Sequence, residues 1–149
     1  CLDSASCNGN CFKNSRNLNL NRLNLKFATI TDEQNYKHLI QNFNCLKELV
    51  VHGKCIDLFP LIVENLKDLE ILDVPISMKA DKDSISNLGK LKNLKQLKID
   101  VSHLDCYCIA KILNESKSLK YLELREYMLF GFGQDNKIKF SNAFTHMPI

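Results

Sequence analysis

The chain has 149 residues, of which 45% are hydrophobic and 25% charged, a composition typical of one globular domain rather than a disordered segment. Its 20 basic and 17 acidic side chains are interspersed and leave a formal net charge of +3, too little to steer the chain toward nucleic acid or an anionic membrane. No apolar stretch approaches the roughly 20 residues that cross a bilayer. Neither nucleic acid nor a membrane is therefore an expected partner.

Residues 1–16 form a polar segment with Cys1, Cys7 and Cys11, which we interpret as a leader or the remnant of a cap. The seven cysteines cannot all pair internally, because their number is odd. The other four lie beside apolar positions, where reduced cysteine behaves as a small hydrophobe and fits a reducing compartment. The three in the polar segment could instead belong to a disulfide cap. Because the chain begins at Cys1 without a signal region, we expect a fragment or a processed chain.

From residue 17 to 149, one apolar pattern returns at intervals of 23 to 26 residues. Each copy has apolar side chains at its first, fourth and sixth places, as in "LKQLKID" (94–100), a spacing that fits neither a helix nor simple alternation. One copy alone cannot bury its apolar row, whereas copies stacked side by side can. The copies begin at Leu20, Leu46, Leu69, Leu94 and Leu119, with a weaker sixth at Phe144.

This pattern resembles the leucine-rich-repeat family, most closely the helix-backed repeats of the ribonuclease-inhibitor-like and F-box-associated kind. The resemblance implies an α/β solenoid with a curved parallel sheet on the concave side and short helices on the convex side. It covers residues 17–149 as about five repeats and a truncated sixth, and it predicts continuation beyond Ile149. Many such repeats carry an asparagine at the ninth place that bonds to turn backbone. Here that place holds Ala28, Lys54, Ser77, Ser102 and Tyr127, so the turns must be held in another way.

Segments between the copies are expected to form the convex side. They span residues 31–43, 57–66, 79–91, 105–116 and 131–143. The first has Thr31 and Gln34 at capping-box spacing, and the second has Asp57 as a candidate cap, so both predict helices, as does the fourth with its apolar stripe. The third is more polar and predicts only a short helix. The fifth predicts an irregular return.

Alternation along each strand turns the third and fifth places away from the core and onto the concave face. The third-place column is Arg22, Glu48, Ile71, Gln96, Tyr121 and His146, and the fifth-place column is Asn24, Val50, Asp73, Lys98, Glu123 and Pro148. Mixed charges with a few apolar anchors are typical of a protein-binding surface, although a merely solvated sheet face would show the same alternation. We predict that the first five residues of each column bind a partner.

Lysines also recur with the repeat. Lys67, Lys92 and Lys117 lie two places before successive strands, while Lys47, Lys95 and Lys120 occupy second places, where Glu70 interrupts the row. Such a ribbon could contact an acidic peptide or phosphate groups. Lysines along a sheet edge can also serve only to keep that edge soluble.

Catalytic chemistry finds little support in the sequence. The four histidines fall in different copies, and no catalytic motif or phosphate-cradling glycine loop occurs. Cys106 and Cys108 would diverge on a helix, and Cys1, Cys7 and Cys11 lack a fourth ligand. We therefore expect no enzyme, no metal and no cofactor.

The resemblance implies a non-enzymatic protein-interaction module, a monomeric part of a larger chain or complex. The closest functional parallel is the substrate-recognition part of an F-box-type ubiquitin ligase receptor, in the cytoplasm or nucleus. The alternative is a secreted or cell-surface leucine-rich-repeat recognition protein, with an N-terminal disulfide cap and a glycan at Asn114 in "NES".

Overall fold

A computed structural model describes residues 20–25, 33–51, 58–74, 81–100, 106–126 and 136–141, with only the backbone at 33–36, 100, 126 and 136–141. These residues form an α/β fold in which strands alternate with short helices. No helix within them is both long enough and apolar enough to cross a membrane.

The strands are β1 (Arg22–Leu25), β2 (Glu48–Val51), β3 (Ile71–Val74), β4 (Gln96–Asp100), β5 (Tyr121–Glu126) and β6 (Asn136–Ser141). The helices are α1 (Glu33–Asn42), α2 (Phe59–Asn65), α3 (Lys82–Ser86), which continues as a 3₁₀ turn (Asn87–Lys90), and α4 (Cys106–Glu115).

The five strands β1 to β5 are parallel and lie side by side in chain order. Their fourth-place leucines pair in one continuous row: Leu23, Leu49, Leu72, Leu97 and Leu122. This register confirms that these leucines lie beside one another on neighbouring strands. It also brings the sixth places together in a second row on the same face.

Both rows face the helices and form the core. Fourth- and sixth-place side chains are at most 7% exposed, and they pack with Ile40, Phe43, Ile62, Leu88 and Ile112 from the connecting segments. Burying one such aliphatic side chain stabilises the fold by about 1.5–3 kcal/mol. The predicted division of each strand into an inward and an outward side is therefore confirmed.

Two predicted helices appear as α1 and α2, because each segment presents apolar residues at helical spacing. Leu39, Ile40 and Phe43 are buried on one side of the first segment, whereas its candidate cap Thr31 lies outside the described residues. The N-cap of α2 is Leu58, which makes no side-chain cap, and the early Pro60 needs no donor there. The candidate cap Asp57 also lies outside the described residues.

The polar third segment forms the predicted short helix. The Asp81 carboxylate accepts a hydrogen bond from the Ser84 amide (3.1 Å) and caps α3. Ile85 and Leu88 are buried. Gly89 lies so close to α4 that an added Cβ would stand 2.7 Å from the Glu115 Cβ, so only glycine permits this approach.

Backbone groups hold successive copies together where the strands begin. The carbonyls of Asn21, Lys47, Glu70 and Lys95 each accept two amide hydrogen bonds from the next copy, at 2.8–3.0 Å. Side chains add to this pattern, since Asn93 Nδ2 donates to the Lys67 carbonyl at 3.2 Å. Ser118 Oγ likewise donates to the Leu94 carbonyl at 3.0 Å. The ninth-place residues lie outside the described residues.

The segment 131–143 differs from its predicted irregular return. It contains β6, which pairs antiparallel with β5. The physical reason is the alternation in "NKIKFS": Ile138 and Phe140 pair with Leu124 and Leu122, the two inward places of β5. The predicted sixth copy at Phe144 lies outside the described residues.

Candidate functional site

The sheet face opposite the helices carries both predicted columns, and we call it the far face. In the pairing register the third-place residues Arg22, Glu48, Ile71, Gln96 and Tyr121 lie on neighbouring strands, as do the fifth-place residues Asn24, Val50, Asp73, Lys98 and Glu123. The structure therefore brings all ten predicted binding residues onto one surface. His146 and Pro148 lie outside the described residues.

The β1–β3 part of the far face combines an ion pair with apolar side chains. Arg22 Nε contacts Glu48 Oε2 at 2.5 Å, and their side chains are 60% and 18% exposed. Val50 and Ile71 are partly exposed beside this pair. Val50 and Ile71 are diagonal neighbours on adjacent strands, so two apolar side chains lie near each other on this part of the far face.

The β3–β5 part of the far face differs from the prediction that its outward residues are available to a partner. Arg125 on β5 reaches across β4 to Asp73 on β3, with Nη2 2.7 Å from Oδ1. Asp73, Glu123 and Arg125 are only 8%, 8% and 6% exposed. The Tyr121 hydroxyl donates a hydrogen bond to Glu123 Oε2 at 2.7 Å. Two of the predicted contact residues, Asp73 and Glu123, are therefore buried and form polar contacts with other residues of the same chain.

Arg125 is the member of this group that the sequence interpretation missed. It occupies the seventh place of its copy, and alternation puts the seventh place on the same side as the third and fifth. The seventh place lies within the sheet here because β5 extends from Tyr121 to Glu126. Shorter strands such as β2 end before that place.

We expect Tyr121 to ionise at unusually high pH. Its hydrogen bond to Glu123 raises the pKa of Tyr121 above the ordinary value of 10.0, because only the protonated phenol can donate that bond; burial and repulsion by the carboxylate act in the same direction. A group with a raised pKa in the folded state stabilises the fold below its ordinary pKa, and this contribution is lost as pH rises through the raised value.

Ultraviolet absorbance of tyrosinate during an alkaline titration measures this effect. Among the four tyrosines, one step should be displaced upward and should disappear in Tyr121→Phe. Glu123→Gln should move the step back toward 10.0. An unchanged titration in Glu123→Gln would contradict the assigned cause.

The predicted lysine ribbon lies along one margin of the sheet, where the strands begin. We call this margin the lysine edge and define it by the exposed residues Lys47, Lys67, Lys92, Lys95, Lys117 and Lys120. Glu70 interrupts the row as predicted, and its carboxylate pairs with two of the lysines: Lys95 Nζ lies 2.7 Å and Lys47 Nζ 3.8 Å away. The hydrogen bond from Lys95, aided by the charge of both lysines, lowers the pKa of Glu70.

The described cysteines divide as the helical spacing predicts. Cys106 is exposed at the start of α4, whereas Cys108 is buried, and its thiol donates to the Lys82 carbonyl with an Sγ–O distance of 3.8 Å. Cys45 is exposed. Within the described ranges, no three histidine, cysteine or acidic side chains group closely enough to hold a metal ion.

No protein-family model, curated protein or solved structure matches this chain.

Proposed function

We propose that this chain is a non-enzymatic recognition module of the leucine-rich-repeat type, which binds a protein partner through the far face of its sheet. The observation that carries the proposal is the diagonal placement of Val50 and Ile71, two partly exposed apolar residues on neighbouring strands, beside the charged Arg22 and Glu48. A partner can gain affinity by covering the apolar pair and selectivity by matching the charges.

The solenoid interpretation rests on the pairing register and on the row of helices. Consecutive connecting segments pack against each other behind the sheet, as α1 does with α2 and α3 with α4. Helices are wider than the spacing of about 4.8 Å between strands. A repeated strand–helix unit of this kind bends toward its strands, so in this proposal the far face is the concave side.

Within this proposal, the chain serves as the substrate-recognition part of an F-box-type ubiquitin ligase receptor in the cytoplasm or nucleus. The exposed thiols of Cys45 and Cys106 favour a reducing compartment. The competing function is secreted or cell-surface recognition, which the exposed Asn114 in its glycosylation motif favours. Ser116 of the same motif is buried, at 6% exposure.

A thiol count separates the two settings. The native protein is denatured without reductant and its reactive thiols are titrated. Seven reactive thiols, the full number of cysteines, would exclude the secreted form, whereas one or three would favour it.

Binding through the far face is tested by Tyr121→Ala and Ile71→Ser in quantitative affinity capture with the 149-residue chain as bait. Each substitution should weaken capture of the same partner roughly tenfold, as expected of a central contact residue. Loss of the Tyr121 hydrogen bond to the buried Glu123 carboxylate should cost about 1.5–3 kcal/mol of stability, which is less than the roughly 5–15 kcal/mol that holds an ordinary domain folded, so the fold is retained.

Tyr107→Ala is the matched control, because Tyr107 lies 70% exposed on α4 and away from the sheet face. It should capture partners as well as the unchanged chain does. If both far-face variants remain folded by circular dichroism and still capture the same proteins at the same level, the far face is not the binding surface.

A further inference from the structure

The lysine edge concentrates the positive charge of the chain. Its six lysines are accompanied by the acidic residues Asp68 and Glu70, which leaves a formal charge of +4 at this margin. The complete chain carries +3, so everything outside the edge sums to −1. The small total charge therefore conceals a localised positive surface.

Only three of the six lysines interact with other described groups of the chain. Lys47 and Lys95 pair with Glu70, and Lys67 Nζ donates to the Val63 carbonyl at 2.5 Å. Lys92, Lys117 and Lys120 make no ion pair with any residue that the structure describes, and all three are exposed. They occupy the copies of β4 and β5, on neighbouring rungs about 4.8 Å apart.

We propose that the lysine edge binds an acidic segment of the protein partner. The inference rests on the proposed function, because the edge directly adjoins the far face: Lys120 precedes Tyr121, and Lys95 precedes Gln96. A partner seated on that face therefore extends past these lysines. Two residues three positions apart on a helix are separated by about 4.5 Å along the helix axis. This separation is close to the spacing between neighbouring strands, so an acidic helix can place one carboxylate beside each strand.

Phosphate backbones fit this margin less well. A nucleic-acid duplex carries about one negative charge per 1.7 Å and favours an unbroken positive track. Here Asp68 and Glu70 lie within the track, and the aromatic residue next to Lys120, Tyr121, donates its hydroxyl to Glu123. Spaced carboxylates tolerate such interruptions better than a dense row of phosphates does.

The test uses a fluorescein-labelled helical peptide with glutamates three and four residues apart on an alanine background, and the same peptide with glutamine in their place. Binding to the 149-residue chain is measured by fluorescence anisotropy at low and high salt. The edge variant is K92Q/K117Q/K120Q. The matched control is K37Q/K82Q/K111Q, which removes three lysines from α1, α3 and α4, so both variants bring the formal net charge from +3 to 0.

The glutamate peptide should bind the unchanged chain and the control variant, and salt should weaken both interactions. The edge variant should bind about fivefold to tenfold more weakly, as expected for the loss of three exposed charge contacts. The glutamine peptide should not bind. Equal affinity for the two variants would overturn the proposal.

A single-stranded oligonucleotide serves as the competing probe. If it binds more tightly than the glutamate peptide and loses affinity in the edge variant, the edge recognises phosphate and the proposal is wrong. The far-face variant Ile71→Ser should keep full affinity for the glutamate peptide while losing the captured partner. These measurements distinguish an error in the proposed lysine-edge site from an error in the proposed far-face binding site.

Discussion

Replacing Leu97 with aspartate is expected to abolish folding. Leu97 is fully buried on the central strand β4, between Leu72 and Leu122 on its two neighbours. A carboxylate at this place would lose its hydration without gaining a partner, at a cost of several kcal/mol. The lost leucine contacts add about 2–5 kcal/mol. Together these approach the entire stability of an ordinary domain, about 5–15 kcal/mol. Far-ultraviolet circular dichroism and urea unfolding measure the result.

Gln96→Asp is the matched control, since Gln96 is the preceding residue and its side chain lies on the far face. It introduces the same side chain on the same strand, without burial in the core, and should cost no more than about 1 kcal/mol through the low strand propensity of aspartate. A folded Leu97→Asp protein together with an unfolded Gln96→Asp protein would reverse our assignment of the two faces.

Replacing Arg125 with methionine is expected to lower the free energy of unfolding by about 2–4 kcal/mol. The substitution keeps an unbranched side chain but leaves the Asp73 carboxylate in a site where it is only 8% exposed. Removing one member of a buried ion pair is costly because the other charge stays desolvated. The neighbouring Lys98 offsets part of the loss, which places the expected effect below that of Leu97→Asp. Urea unfolding of both proteins gives the difference.

Two further variants serve as comparisons for Arg125→Met. Arg22→Met removes an ion pair on the same face whose arginine is 60% exposed, and such a pair contributes about 0–1 kcal/mol. The double variant Asp73→Asn with Arg125→Met should regain much of the loss, because no buried charge remains. If Arg125→Met were no more harmful than Arg22→Met, the buried pair would contribute no more to stability than an exposed one.

The inward rows of the sheet were predictable because the sequence repeats them. Leu23, Leu49, Leu72, Leu97 and Leu122 occupy equivalent places, so any register that buries one of them buries all five. The helices followed from the same repetition, since each connecting segment must cover the next part of that core. Periodicity is a property of the chain itself and needs no knowledge of distant contacts.

The polar contacts of the far face were not predictable by that route. Asp73 and Arg125 are separated by a complete strand, and each occupies a different place in its copy. No periodic pattern relates them, and only the three-dimensional reach of an arginine side chain joins them.

The antiparallel strand β6 was missed for a related reason. Its two-residue alternation is local to six residues and competes with a much longer repeat.

Backbone amides and carbonyls alone form the paired hydrogen bonds where the strands begin, and the residues that accept them are as different as Asn21, Lys47 and Glu70. These backbone hydrogen bonds consequently do not depend on which side chain stands at each position. Substitutions that change the charge of these side chains, in evolution or by design, therefore leave the backbone hydrogen bonds between neighbouring copies in place. A protein built in this way can change which molecules it attracts while its scaffold stays the same.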